Sequence, residues 1–394
     1  MSKPGHNILG TLHPADFLQN YWQKKPLLIH GAIPGFTSPL AAEELAGLAC
    51  EEGVESRLVE FRNGAYLLDT GPFDAKRFSK LPKRDWTLLV QDVEKHLPEL
   101  AAILDRFDFI PHWRIDDLMI SYAVKGGSVG PHTDAYDVFL LQASGRRCWS
   151  IAEHYNPEIV PGMDVKVLKE FKAEQEWILE PGDMLYLPPD VAHEGVALDD
   201  ECMTWSVGFR APSLRDMFLD LSEWLYQRLP EDVMYADPDL AVTEAGRGEI
   251  SAHAFTRMRA LLRTAMNVDD GILDGWFGQF MTEPKPWLAC ETSENTPARD
   301  MFHSRLASGD ALVRDTRALL AWRSSSAGTV LFVNGEAWDA GGDLEGLLEL
   351  LCTQRRFSMP LLEPYLHETG LALLRRLHEH GALHFASMVE TDNG

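Results

Sequence analysis

Residues Gly130–Trp149 read GPHTDAYDVFLLQASGRRCW. His132 and Asp134 stand two positions apart, ahead of an apolar run, a short turn and paired arginines. On an extended chain, residues at i and i+2 point to the same side. An imidazole nitrogen and a carboxylate oxygen so placed can meet one metal ion. Alone the pair is a weak signal in a chain with 14 histidines. It gains meaning from the residues C-terminal to it. DVFLLQ, ASG and RRCWSI read as strand, three-residue turn and strand. Alternation puts Arg147 on one face with Trp149 and Ile151, and Arg146 on the other with Cys148 and Ser150. The more apolar face is the one expected to look inward. An arginine there is costly unless an anion meets it, and a guanidinium holds a carboxylate through two parallel hydrogen bonds.

A third ligand candidate lies in EPGDMLYLPPDVAHEG, Glu180–Gly195. Pro181-Gly182 marks a tight turn, MLYLP a short strand, and His193 the point where the chain emerges. The spacing Gly182, Pro188, His193 matches the second metal motif of cupin barrels, except that Pro189-Asp190 replaces the usual Pro-x-Gly. Two histidines and one carboxylate form the facial triad of non-haem Fe(II) oxygenases, which leaves three coordination positions open. The 2-oxoacid end of 2-oxoglutarate would chelate such an iron while its distal carboxylate reaches Arg147.

The rest of the chain sets the frame. With 394 residues, two or three domains are expected. No apolar run approaches the roughly 20 residues that span a bilayer. MSKPGHNILG lacks the apolar core of a secretory leader, so a cytoplasmic protein is expected. The five cysteines are scattered without a CxxC pair, so neither a zinc ribbon nor a disulfide framework is indicated and reduced thiols are expected. A net charge of −24 argues against nucleic-acid binding and fits either plain solubility or a basic partner.

Arg57 to Phe209 reads mostly as β-structure. From Ser213 the text turns helical: Ser213 with Asp216 forms a helix start, and Leu221, Trp224 and Leu225 belong to a wide apolar face. TVLFVNGEAWDA reads as a hairpin turning at Asn334-Gly335. Helices with a small hairpin suggest a winged-helix-like end. It lacks a sustained basic helix, so protein contact is expected of it rather than DNA binding.

The sequence resembles the bacterial ribosomal oxygenases, JmjC-type Fe(II)/2-oxoglutarate-dependent protein hydroxylases of the cupin superfamily. The matching text is FLQNYWQKKPLLI, WRIDDLMISYAVKGGSVGPHTDAYDVFLLQASGRRCW, EPGDMLYLPP, HEG and SVGFRAP. The match is strong from Asp16 to Pro212, looser through the helical part and weakest at the C-terminal end. The resemblance implies an α+β chain: a double-stranded β-helix (1–212), a helical dimerisation module (213–285) and a winged-helix-like domain (286–394). It implies iron ligands at His132, Asp134 and His193. It also implies 2-oxoglutarate contacts from Ser121 and from Arg147, where many relatives use lysine. Dioxygen is the other cosubstrate, a homodimer the implied assembly, and an arginine of the sixteenth large-subunit ribosomal protein the implied target.

An arginine client makes chemical sense in a basic ribosomal protein, because a carboxylate near the barrel mouth would grip its guanidinium. Asp116, Asp117, Tyr136 and Asp137 are the candidates for that contact, and among the acids Asp117 ranks first. Three other readings stay open: a histidine hydroxylase, a JmjC lysine demethylase and a non-enzymatic cupin-derived binding protein.

Overall fold

The structure, a computed structural model, describes residues 7–238, 248–293, 296–326, 328–341 and 343–386. The first six residues of MSKPGHNILG, and residues 294 and 295 of the linker text CETSENTPARD, lie outside them. The chain divides into two compact units. One comprises Met1–Ala211, Pro284–Ala318 and Glu349–Gly394; the other comprises Pro212–Glu283 and Leu319–Leu348.

The first unit is built on eleven strands: β1 Leu27–Ile29, β2 Ser56–Arg62, β3 Ala65–Thr70, β4 Trp86–Val90, β5 Ile115–Ala123, β6 Val138–Ser144, β7 Arg147–Ala152, β8 Gln175–Leu179, β9 Met184–Leu187, β10 Ala192–Ala197 and β11 Cys202–Phe209. Eight form a large antiparallel sheet in the order β1-β9-β6-β11-β5-β4-β2-β3, and three form a small one, β10-β7-β8. This is the double-stranded β-helix of the cupin and JmjC folds. Both faces of the large sheet are covered, so β6 and β9 read as near-continuous apolar runs, whereas β5 and β11 alternate apolar residues with the polar Asp117, Ser121, Thr204 and Ser206. All eight residues of β11 are buried. The outer face packs an aromatic core in which Phe17, Phe107, Phe139, Tyr186 and Phe209 meet with ring centroids 4.8–5.9 Å apart. Each such ring stabilises the fold by about 1.5–3 kcal/mol through burial. The inner face carries Asp117, Met119, Ser121, Val138, Leu140, Thr204 and Ser206, which line a cavity.

One expectation is corrected here. β6 and β7 are not a hairpin: β6 pairs β9 and β11, whereas β7 pairs β10 and β8. The ASG turn carries the chain from the large sheet to the small one. Gly145 makes that corner at φ +59, and a Cβ there would lie 2.7 Å from the Glu201 carbonyl oxygen, so the turn needs glycine. Alternation survives the crossing. Arg147, Trp149 and Ile151 are buried, and Cys148 and Ser150 are half-exposed.

In the second unit, helices Leu214–Tyr226, Ala252–Met266 and Asp270–Thr282 accompany a three-stranded sheet, Leu320–Ser325, Gly328–Val333 and Glu336–Asp339. Ser213 caps the first helix through the Asp216 N–H, with the Asp216 carboxylate reaching back. The hairpin turns at Asn334-Gly335 with φ of 48° and 85°, as such a turn requires. Trp276 Nε1 donates to Asp220 at 2.6 Å, and the Phe332 ring lies where Gly278 has no side chain. The helices Leu214–Tyr226 and Ala252–Met266 contain no fully buried residue. Phe218, Leu219 and Tyr226 are exposed, whereas Leu221, Trp224 and Leu225 are half-buried.

Candidate active site

The ligand atoms of His132, Asp134 and His193 lie within 4.8 Å of one another. His193 Nε2 is 3.6 Å from Asp134 Oδ2, and the two imidazole centroids are 4.3 Å apart. Backbone pairing sets this geometry. His132 and His193 exchange two hydrogen bonds of 3.0 and 2.9 Å, and the Asp190 N–H donates to the Asp134 carbonyl at 2.8 Å. Each Nδ1 faces a carbonyl at 2.9 Å, Gly130 for His132 and Val191 for His193. Nδ1 must therefore carry the proton, which leaves both Nε2 lone pairs for a metal. Burial, and after it the neighbouring His132, lowers His193 to about 4, so this imidazole is neutral and ready to ligate. Asp190 explains the departure from Pro-x-Gly: its φ is +61, and aspartate is among the few side chains that tolerate that region. The donor set, two imidazole nitrogens and one carboxylate oxygen brought within reach of one another, fits Fe(II).

The cavity holds about 640 Å³ of atom-free space, mouth included, between the two sheets. Arg147 lines it and is 6% exposed. Its Nε donates to Cys202 Sγ at 3.4 Å and its guanidinium lies 5.6 Å from the Trp149 ring. Its Nη2 is buried without a hydrogen-bond partner among the described residues. A buried cationic donor with nothing to bond is the signature of a missing anion. A carboxylate of 2-oxoglutarate fits that position. Arg146 is half-exposed and pairs with Asp199 at 3.6 Å. Ser121 is 4% exposed and lines the cavity opposite Thr204, its cross-strand partner.

The structure separates the candidate client contacts. Asp117 is 7% exposed and lines the cavity, as does Tyr136. Burial and the Asp134 and Asp117 carboxylates raise the Tyr136 phenol, so it stays protonated. Asp116 is not among the residues lining the cavity, and it accepts from Arg210 Nε at 3.2 Å. Asp137 requires a correction. It is fully buried away from the cavity, accepting from Tyr186 Oη at 2.6 Å and Gln23 Nε2 at 2.9 Å, with Arg114 at 3.7 Å. Its carboxylate ties the N-terminal segment to the sheet and has no room for a client.

The JmjC domain model matches residues 102–217, and a ROXA-like winged-helix model matches 266–388. The "Ribosomal protein uL16 3-hydroxylase" of Escherichia coli is 36% identical over 84% of this chain and 86% of that protein. The chain belongs to the JmjC-type ribosomal oxygenases. A "Probable ribosomal oxygenase" of Haemophilus influenzae is 38% identical over 59% of this chain and 56% of that one. The structure of the E. coli ribosomal oxygenase YcfD in complex with cobalt and 2-oxoglutarate superposes with a TM-score of 0.80. It is 33% identical, covering 96% of this chain and 99% of that one.

Sequence reading missed several wall residues of this ribosomal oxygenase. Thr87, Gln91, Met119, Thr204 and Ser206 all face the cavity. Their signal was the period-2 register of β4, β5 and β11, which becomes visible once one inward residue on each strand is known. Gly195 of HEG is also explained: a Cβ there would lie 2.7 Å from the Trp149 ring.

Asp117 yields a prediction about pH. Burial first, then the Asp116, Asp92 and Glu94 carboxylates, pushes its carboxyl from 3.8 up to about 8. Between those values the unfolded chain binds fewer protons than the folded one, so stability falls as pH rises. Asp117→Asn removes this dependence. The ligand-free variant should match the wild type near pH 4 and exceed it at pH 8 by roughly 1–3 kcal/mol. Thermal melts across that range check it, and a variant that melts lower at pH 8 contradicts it.

Proposed function

We propose that this ribosomal oxygenase hydroxylates an arginine side chain of ribosomal protein uL16, using Fe(II), 2-oxoglutarate and dioxygen. The observation that carries the arginine assignment is Asp117, a buried acid on the cavity wall with no ion pair to a cation of its own among the described residues. An entering guanidinium would supply that cation, with a fork matched to two carboxylate oxygens. The name of the E. coli relative and the cobalt and 2-oxoglutarate complex of YcfD support the reading.

The residues divide the task. His132, Asp134 and His193 would hold the metal. Arg147 would hold the cosubstrate's distal carboxylate, with Ser121 beside it. Trp149, Val138 and Leu140 line an apolar wall that excludes water. Asp117 and the Tyr136 ring would hold the arginine so that a methylene faces the metal. When bound, iron supplies the oxidising chemistry: 2-oxoglutarate and dioxygen become succinate and carbon dioxide as one oxygen atom enters a C–H bond.

Incubation with uL16 peptides carrying arginine, lysine or histidine at the target, followed by mass spectrometry, tests this. A gain of one oxygen on the arginine peptide is expected. Preferred oxidation of histidine would establish a histidine hydroxylase, and loss of methyl groups from methylated lysine a demethylase. Failure to couple 2-oxoglutarate turnover to any peptide would favour the binding-protein reading.

No helix among the described residues is long and apolar enough to cross a membrane, and the proposed client places the enzyme in the cytoplasm. A homodimer through the helical segment is part of the proposal, because Phe218, Leu219 and Tyr226 expose apolar surface there. Phe218→Asp with Tyr226→Asp should yield monomers in light scattering. A monomeric wild type contradicts this.

A further inference from the structure

Behind Asp117 lies a buried charge cluster with no place in the mechanism above. Asp92 is 1% exposed and has φ +53. Its backbone N–H donates to Asp117 Oδ2 at 3.2 Å. Its carboxylate is gripped on one oxygen by Lys95 Nζ and on the other by Lys285 Nζ at 2.5 Å. Lys95 also lies 3.7 Å from Glu94, itself 2% exposed, and donates to the Asp116 carbonyl at 3.1 Å. Neither Asp92 nor Lys95 lines the cavity.

Among the described residues every acid of the cluster has a cation within 4 Å, except the one at the cavity. Lys95 lies against Asp92 and Glu94, Lys285 against Asp92 and, at 3.5 Å, the more exposed Glu55, and Arg210 against Asp116. Asp117 receives one backbone N–H and, among the described residues, no direct cation. A buried cluster of this kind is stable only while its cations stay in place. Removing one would set Asp92 and Glu94 against Asp117 and raise the cost of ionising it when a guanidinium arrives. It would also loosen the backbone turn that aims Asp117.

We infer that Lys95 and Asp92 are positioning residues for client recognition. They orient Asp117 and leave it the one acid of the cluster whose cation must come from the substrate. The inference rests on the arginine-clamp reading above.

The test uses the full-length protein, an arginine-bearing uL16 peptide and four variants: Lys95→Met, Lys95→Arg, Asp117→Asn and the Lys95→Met/Asp117→Asn double. Lys95→Met should raise the peptide KM on the order of ten-fold. Its kcat should change far less and its 2-oxoglutarate Kd should not change. Lys95→Arg should recover most of the loss, and Lys95→Met should add nothing when Asp117 is already Asn. Should Lys95→Met not fold, Lys285→Met releases the same Asp92 carboxylate from a more exposed side and carries the same expectation. An equal effect of Lys95→Met with and without Asp117 overturns the inference, as does a parallel loss of 2-oxoglutarate binding. A peptide KM that rises in Asp117→Asn but not in Lys95→Met overturns the inference alone. An Asp117→Asn enzyme with unchanged peptide KM overturns the clamp, and the inference with it.

Discussion

Replacing His132 or Asp134 by alanine is expected to abolish hydroxylation and to weaken metal binding by more than about 100-fold. Loss of an outer partner of a metal ligand commonly costs about 10–100-fold, and here the ligand itself is removed. The fold should survive. The hydrogen bonds that join positions 132 and 193, and those that seat Asp134 against Asp190, are all made by backbone atoms. Neither side chain belongs to the apolar core, and Asp134 is about one-fifth exposed. His193 is the less clean test, because its side chain is buried between His132 and Trp149 and its removal would leave a void. Asp134→Asn separates charge from shape: it keeps the oxygen but loses the only negative ligand, so metal affinity should fall while the melting temperature holds. Titration with Co(II) or Fe(II), read calorimetrically, gives the result without relying on turnover. Undiminished metal uptake by His132→Ala together with full activity would remove the triad from its assigned place.

The triad was legible because its parts are local. His132 and Asp134 share a face by period 2, and His193 follows a strand that ends in a proline turn. Arg147 was legible for the same reason, even though the hairpin drawn around it was wrong: alternation along β7 does not depend on which strand β7 pairs with. What stayed hidden depends on long-range pairing. Asp116 and Asp117 differ only in which side of β5 they occupy, and β11, which fixes that side, lies some way down the chain. Asp137 looked like a mouth residue beside Asp134, yet its partners Tyr186 and Gln23 are 49 and 114 positions away. No local pattern announces such a junction. The Lys95–Asp92–Lys285 cluster is the extreme case, since Asp92 and Lys285 are 193 positions apart. Charge runs in a sequence do not show which acids will share a cation.

Arg147→Ala is expected to raise the 2-oxoglutarate requirement by roughly 30-fold to several thousand-fold, which corresponds to about 2–5 kcal/mol for one partner of a desolvated charge pair. Arg146→Ala should stay within a few-fold, because Arg146 is half-exposed and its pair with Asp199 is a surface contact. Arg147→Lys should fall between, since an ammonium keeps the charge and loses the fork. Stability separates a binding role from a packing role. In the ligand-free protein the Arg147 guanidinium is buried, with a thiol on Nε, the Trp149 ring nearby and Nη2 without a hydrogen-bond partner among the described residues. Such a group costs the fold more in desolvation than these contacts return. Its removal should therefore leave the melting temperature of the ligand-free enzyme level or slightly higher. The stabilisation that saturating 2-oxoglutarate confers on the wild type should vanish. Metal affinity measured without cosubstrate should not move, because Arg147 is not among the ligand set. A variant that melts lower yet binds 2-oxoglutarate as before would make Arg147 a packing strut and send the search for the cosubstrate anchor to Ser121 and Thr204 across the cavity.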